Sequence, residues 1–207
     1  FVAIVGRPNA GKSTLLNRVL GNKLAITSAK PQTTRHRIVG IHNEAHSQMI
    51  LVDTPGIHEA WTALNQSMVQ RSMEAIAESD VTTWLLDASV QARRFEQGKP
   101  IWDAEELSIQ EALLRHNGPT LVVLNKVDIV PKPLLLPIIE AVAAISANFE
   151  IVPISAMTGD SVETWLSVCQ GMLPEHPPLY PVDEWAQVTE RFLASEIIRE
   201  KIFHLTE

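Results

Sequence analysis

The sequence has a single cysteine, Cys169, which excludes an internal disulfide and any cysteine-based zinc site. Long apolar runs are missing too. The longest stretches, such as Ile50–Val52 and Leu121–Leu124, are strand-sized and far short of the ~20 residues a membrane-spanning helix needs. No signal-peptide pattern opens the chain. It begins Phe1-Val2-Ala3-Ile4-Val5, a strand already under way, so a few residues are expected to precede it. These absences make the cytosol the default location. Bulk positive charge is also lacking: a net charge of −7 argues against a nucleic-acid binder that works through its overall field. Locally the missing sign is the opposite one. Residues 1–43 contain Arg7, Lys12, Arg18, Lys23, Lys30, Arg35 and Arg37 but no Asp or Glu, so the first part of the chain is suited to face a polyanion.

At 207 residues the chain can bury one good core and carry a small appendage. Strand and helix signals alternate along it. Apolar runs at Phe1–Val5, Ile38–Ile41, Met49–Val52, Val81–Leu86, Thr120–Leu124 and Ile151–Ile154 read as strands. Helical stretches are expected at Ser13–Leu20, Ala63–Glu78, Asp103–Arg115, Leu134–Ala147 and Val162–Met172. This order predicts an α/β fold, a mainly parallel sheet with helices on both faces and its ligand at the carboxyl ends of the strands. The alternation stops after Leu173. The run Pro174–Pro181, four of its eight residues proline, cannot continue a helix and reads as a linker. Beyond it Val188, Phe192, Ile198, Ile202 and Leu205 recur at helical spacing, which predicts an amphipathic helix. That helix either packs back on the main body or opens a second domain, and the second reading is preferred.

Gly6-Arg7-Pro8-Asn9-Ala10-Gly11-Lys12-Ser13 fits the G-x-x-x-x-G-K-[ST] phosphate loop, placed between a strand and a helix as that motif requires. Its glycines let successive amides point inward as an anion nest, reinforced by the helix N-terminus. Lys12 can reach the β- and γ-phosphates, and the Ser13 hydroxyl suits Mg²⁺. Asp53-Thr54-Pro55-Gly56 follows a strand of the same sheet. Asp53 can hold Mg²⁺ through a water, and the Gly56 amide can approach the γ-phosphate. Between these motifs, Lys30-Pro31-Gln32-Thr33-Thr34-Arg35 offers a hydroxyl for the magnesium shell, with Thr34 preferred to Thr33.

Asn125-Lys126-Val127-Asp128 ends another strand. The Asp128 carboxylate can accept two parallel hydrogen bonds, and guanine offers that donor pair while adenine does not. Asn125 is expected to brace the loop and reach the base, with the stem of Lys126 lying on the purine face. Ser155-Ala156, after the next strand, fits a second base loop whose backbone amide meets the guanine carbonyl. Each string alone is common; in this order, each after a strand, the set points to a guanine nucleotide. A phosphate-loop kinase or ATPase is the competing class, and it would need no guanine-reading loop.

The motifs Gly6–Thr14, Asp53–Gly56 and Asn125–Asp128 resemble those of translation-factor-class GTPases, and Pro31–Ile41 and Phe192–Lys201 resemble the Era family in particular. The resemblance covers nearly the whole chain, with Glu59–Gln66 and Gln91–Ile101 the least similar parts. It implies a P-loop NTPase G domain over residues 1–173, a Pro-rich linker over 174–188, and at 189–207 the start of a KH-type RNA-binding domain that the chain leaves before any GXXG loop. It further implies a slow GTPase switch acting in small-subunit (30S) assembly and 16S rRNA maturation, with GTP and GDP as ligands, Mg²⁺ as cofactor and no role for DNA. Lys12, Thr34 and Gly56 would assist hydrolysis. The nucleotide-binding set would be Gly6 through Thr14, Asp53 through Ile57, Asn125, Lys126, Asp128, Ser155 and Ala156. Arg35 and Arg37 are candidates for an RNA contact. By the same resemblance the protein is cytoplasmic, with a peripheral position at the inner membrane as the alternative.

Two residues bear on mechanism. Ile57 stands where Ras-like proteins carry a water-orienting glutamine, and an isoleucine makes no hydrogen bond, so turnover is expected to be slow. Asn9 occupies the position that holds K⁺ in related GTPases; it either does so here or merely caps a turn. A tRNA-modification GTPase, or a nucleotide-dependent binding module with negligible hydrolysis, are the alternative functions.

Overall fold

The computed structural model describes residues 1–26, 38–54, 72–116 and 118–205. Six strands run in chain order: β1 (Val2–Val5), β2 (Ile38–Asn43), β3 (Gln48–Asp53), β4 (Val81–Asp87), β5 (Thr120–Asn125) and β6 (Phe149–Pro153). The helices are α1 (Lys12–Leu20), α2 (Ala88–Glu96), α3 (Ala104–His116), α4 (Lys132–Ala143), α5 (Val162–Met172) and α6 (Glu190–Leu205). Residues 72–78 are also helical, at the end of the stretch read as helix from Ala63 to Glu78. The sheet has the order β2-β3-β1-β4-β5-β6. All neighbouring pairs are parallel except β2 with β3, a hairpin closed by the Glu44 amide donating to the Ser47 carbonyl.

The strands are apolar on both faces because helices cover both. Along β1, Val2 and Ile4 point to one core and Ala3 and Val5 to the other. The first core is closed by Leu15 and Leu16 of α1 and by Trp165, Leu166 and Cys169 of α5. The second is closed by Ala92 of α2, Ile109 and Leu113 of α3, and Ile138 and Val142 of α4. Burial raises the Cys169 thiol to about 12, so it stays a neutral, small hydrophobe, as its apolar surroundings predict. The parallel register pairs Ile4 with Asp53 and Asp87 with Asn125, which brings the strand ends carrying the motifs to one edge of the sheet.

Helix α2 departs from the sequence reading, which gave no element to Gln91–Ile101. Only Ala88, Gln91 and Ala92 of it are buried, too small and polar a stripe to register as an apolar face. Its start is set instead by Asp87, whose carboxylate accepts from the Ser89 and Val90 amides.

The chain after α5 does not hang free. Gln48 Oε1 accepts from the amides of Leu179 and Tyr180 at 2.8 and 2.9 Å, and its Nε2 donates to the Tyr180 carbonyl. Further on, Ile41 donates to the Trp185 carbonyl and Gln187 to the Val39 carbonyl, forming an antiparallel bridge of Gly40 with Ala186 on the outer edge of β2. On its other side Gly40 packs closely on α1: a Cβ on it would lie 2.5 Å from Leu20 Cδ1, so a larger residue would push that side chain aside.

Helix α6 then packs back on the body. Phe192 and Leu193 rest against the first core, and Lys23 pairs with the buried Glu200 at 2.6 Å. The apolar stripe drawn from the sequence is only partly the buried one, since Ile198, Ile202 and Leu205 are exposed along with Ile197. Among the described residues no helix is long and apolar enough to cross a membrane.

Candidate functional site

The phosphate-loop motif forms the turn between β1 and α1. Both glycines are dictated by close approach: a Cβ on Gly6 would lie 2.3 Å from the Leu85 carbonyl oxygen, and one on Gly11 2.2 Å from Asn125 Nδ2. Gly11 also has φ +104, a conformation that L side chains rarely adopt. Helix α1 starts directly after it with no acidic side chain in its first turn, leaving its N-terminal amides suited to an anion. Lys12 is buried and donates to the carbonyls of Gly6 at 3.0 Å and Arg7 at 2.8 Å. Burial pushes its ammonium down to about 8, against the opposing pull of Asp53 and Glu106. An ammonium whose hydrogen bonds among the described residues all go to loop carbonyls is poised for a stronger anionic partner.

Arg7 behaves differently from its place in the motif. Its guanidinium pairs with Asp103 and Glu105, both at 2.5 Å, so its charge is spent on the segment leading into α3. Any contribution from Arg7 to a ligand comes through its backbone. Pro8 and Thr14 are half-buried in the loop and first turn, Ala10 is buried, and Asn9 is exposed at φ 62.

At the end of β3, Ser13 Oγ donates to Asp53 Oδ2 at 2.8 Å. Thr54 ties this end to β1 by donating to the Ile4 carbonyl at 2.9 Å. A hydroxyl beside a buried carboxylate at the mouth of a phosphate loop is an all-oxygen donor set that fits Mg²⁺. Thr34, Pro55, Gly56 and Ile57, together with Arg35 and Arg37, lie outside the described residues.

Asn125 is the joint of the site. Its Nδ2 donates to the Ala10 carbonyl at 2.7 Å, and its Oδ1 accepts from the Ala156 amide at 2.9 Å. One buried side chain therefore fastens the phosphate loop to both base loops. Asn125 thus braces with both ends of its amide, and within the Ser155-Ala156 loop, expected to offer a backbone amide to the base carbonyl, the Ala156 amide is engaged by Asn125 in this structure. Lys126, at φ 68, sends its ammonium to the Asn9 carbonyl at 2.8 Å and to Asp87 Oδ2 at 2.5 Å. Asp128 sits exposed in a single 3₁₀ turn, Val127–Ile129, with nothing but solvent competing for its carboxylate among the described hydrogen bonds. The loop after β6 is shaped by Ser155, whose carbonyl accepts from Gly159 and whose hydroxyl accepts from Thr158.

Two residues of this site escaped sequence reasoning. Asp87 carried a faint signal, a carboxylate at the end of a strand in the same sheet as the motifs. Arg18 carried none: from the last turn of α1 it donates to the Ala156 and Met157 carbonyls, fixing the second base loop. His42, on β2, contacts Glu44 at 3.2 Å, while His36 and His58 lie outside the described residues.

Comparison with known proteins points to one family. A family model described as "50S ribosome-binding GTPase" matches residues 1–126. Proteins named GTPase Era are similar over the whole chain, at 48% identity in Geotalea uraniireducens and 42% in Lactobacillus delbrueckii subsp. bulgaricus. The chain spans 66% and 65% of the length of those two relatives. Among solved structures, Aquifex aeolicus Era Y63A bound to GDP·AlF4⁻ matches with a TM-score of 0.87 and 40% identity, covering 97% of this chain and 65% of that one. A structure of Era with MgGDPNP and nucleotides 1506–1542 of 16S ribosomal RNA matches equally well.

Proposed function

The chain belongs to the 50S ribosome-binding GTPase family and is of the Era type, and on that premise we propose that it binds GTP and GDP with Mg²⁺ and hydrolyses GTP as a slow switch. The observation that carries this reading is the Asn125 side chain joining Ala10 to Ala156, which unites the phosphate loop and the base loops in one site.

In this reading Lys12 leaves the Gly6 and Arg7 carbonyls for phosphate oxygens, exchanging two neutral acceptors for an anionic one. The loop amides and the α1 N-terminus complete the anion cradle. Ser13 and Asp53 would hold Mg²⁺, with Thr34 from the preceding segment; the ion supplies neutralisation of the charge that develops on the transferred phosphoryl group. Asp128 accepts from the guanine ring N–H and exocyclic amine, Lys126 lays its stem on the ring, and Ser155-Ala156 flanks the base. Gly56 contributes a γ-phosphate contact that exists only before hydrolysis. Ile57 offers no hydrogen bond to an attacking water, so turnover is slow, and Asn9 holds a stimulating K⁺.

The division into a G domain (1–173), linker (174–188) and the opening of a KH-type domain (189–207) belongs to the same proposal. The Era structure containing nucleotides 1506–1542 of 16S rRNA supports a role in small-subunit assembly, and the family resemblance assigns the grip on RNA mainly to the KH-type domain. The bridge of Ala186 to β2 and the Gln48 clamp give the nucleotide side a mechanical route to the linker. Multiple-turnover phosphate release tests the proposal: slow GTP hydrolysis, abolished by EDTA, faster in KCl than in NaCl and absent with ATP. Equal turnover of ATP would refute it, and no release under any condition would leave only a nucleotide-dependent binding module.

A further inference from the structure

The structure assigns to Asp87 a task that no motif records: we propose that it is the positioning residue that sets how long a guanine nucleotide stays bound, by holding Lys126 in place. The inference deepens the proposed function and rests on it.

Asp87 ends β4, paired in register with Asn125 at the end of β5. Its two carboxylate oxygens do different jobs. Oδ1 faces its own chain, accepting from the Ser89 amide at 3.0 Å, the Ser89 hydroxyl at 2.6 Å and the Val90 amide at 3.4 Å, which caps α2. Oδ2 faces the next strand and takes the Lys126 ammonium at 2.5 Å. The helix cap fixes the carboxylate, and the carboxylate then fixes the lysine.

Lys126 needs such a hold. Its backbone is in the left-handed region, φ 68 and ψ 32, which aims the side chain back across the site instead of along the strand. A four-carbon stem on its own would sample many rotamers and lose entropy on each binding event. The ammonium is instead held at two points, the Asp87 carboxylate and the Asn9 carbonyl, with the stem stretched between the base loop and the phosphate loop. A stem fixed at both ends is a preformed wall for a purine ring. The Asp87 side chain is only 15% exposed, so solvent does little to screen its charge.

The role is separable from that of Asp128. Asp128 reads the edge of the base and sets which base is bound; Asp87 touches no base and sets how rigidly the face of the slot is held. Asp87→Asn keeps an oxygen to cap α2 but loses the charge, and its amide presents a donor toward the ammonium. Asp87→Ser keeps a good helix cap and removes the reach to Lys126 altogether. Losing one charge-assisted hydrogen bond corresponds to a dissociation rate about tenfold faster.

The test is a double-mutant cycle read by the dissociation rate of a fluorescent GDP from the whole chain, with Lys126→Met as the second site, since methionine keeps a stem without the ammonium. Asp87→Asn and Asp87→Ser should each speed GDP release about tenfold, leave the ratio of GDP to ADP affinity unchanged, and add nothing further in the Lys126→Met background. A helix cap with no other role would not produce that coupling. Unchanged release in both variants, or the same acceleration with and without the lysine ammonium, would overturn the inference while guanine preference stands. A wild-type protein that holds ADP as well as GDP would overturn the guanine reading itself, and this inference with it.

Discussion

Glu106 should make the protein lose stability as the medium turns from mildly acidic to neutral, and Glu106→Gln should abolish that loss. The residue sits on α3 with 1% of its surface exposed. Trp84 Nε1 donates to its Oε2 at 3.2 Å and Gln91 Nε2 to its Oε1 at 3.5 Å. Burial is the main cause that pushes its carboxyl up to about 8; Asp103 and Glu105 add to it, while Arg7 and the Trp84 hydrogen bond oppose it. The folded protein therefore keeps a neutral acid at pH 7. Gln91 Oε1, buried without a hydrogen-bond partner among the described residues, is a natural acceptor for that acid's proton once the amide is turned. In the unfolded chain the carboxyl ionises near its ordinary value of 4.5. Between those two values the folded state carries the extra proton, so stability falls as pH rises through the window. At pH 7 the cost is about 3 kcal/mol, from 1.36 kcal/mol for each unit of displacement. Glutamine keeps the shape and hydrogen-bonding capacity without the titration. Urea unfolding of wild type and Glu106→Gln from pH 5 to 8.5 reads the difference directly. It should be under ~1 kcal/mol at pH 5, about 3 kcal/mol in favour of the variant at pH 7, and level above pH 8. A difference that stays flat with pH, or a variant that loses stability where the wild type gains it, would refute the reasoning.

Two further outcomes follow from the site. Gly11→Ala drives a methyl into Asn125 Nδ2 at 2.2 Å and forces φ +104 on an alanine, so it should destabilise the fold by about 3 kcal/mol and weaken nucleotide binding; a variant with wild-type melting temperature and GDP affinity would contradict the joint assigned to Asn125. Lys12→Ala removes the one buried ammonium of the phosphate loop, and calorimetry should find triphosphate affinity lowered by at least ~100-fold; retained micromolar GTP binding would refute the loop's role.

The parts of this protein that were legible in the sequence are those where a local pattern has one physical use. Gly6 and Gly11 at their spacing admit little but a phosphate loop, and the structure shows why at atomic contact with Leu85 and Asn125. Buried parallel strands such as Leu121–Leu124 announce themselves by being apolar on both faces. Asn125, Lys126 and Asp128 were found by their strand context. Helix α2 was not, because the residues it buries are Ala88, Gln91 and Ala92, and its start depends on a cap rather than a stripe. The roles of Asp87, faintly signalled by its place at a strand end, and of Arg18, not signalled at all, were missed for a deeper reason: their partners lie 39 and about 140 positions away, and only the closed sheet brings them together. Helix α6 misled in detail, since Glu196 and Glu200 are buried on it while Ile198 and Ile202 face outward, the reverse of the usual burial order.

The claim on which everything rests is that Asp128 selects the base for a site whose phosphate end is Lys12. Competition binding with GDP, ADP and xanthosine diphosphate, on wild type and on Asp128→Asn, tests it most directly. Wild type should bind GDP on the order of a hundredfold or more tighter than the other two, and Asp128→Asn should lose GDP and gain the xanthine nucleotide, whose edge suits an amide. A variant that binds GDP as the wild type does would contradict the account.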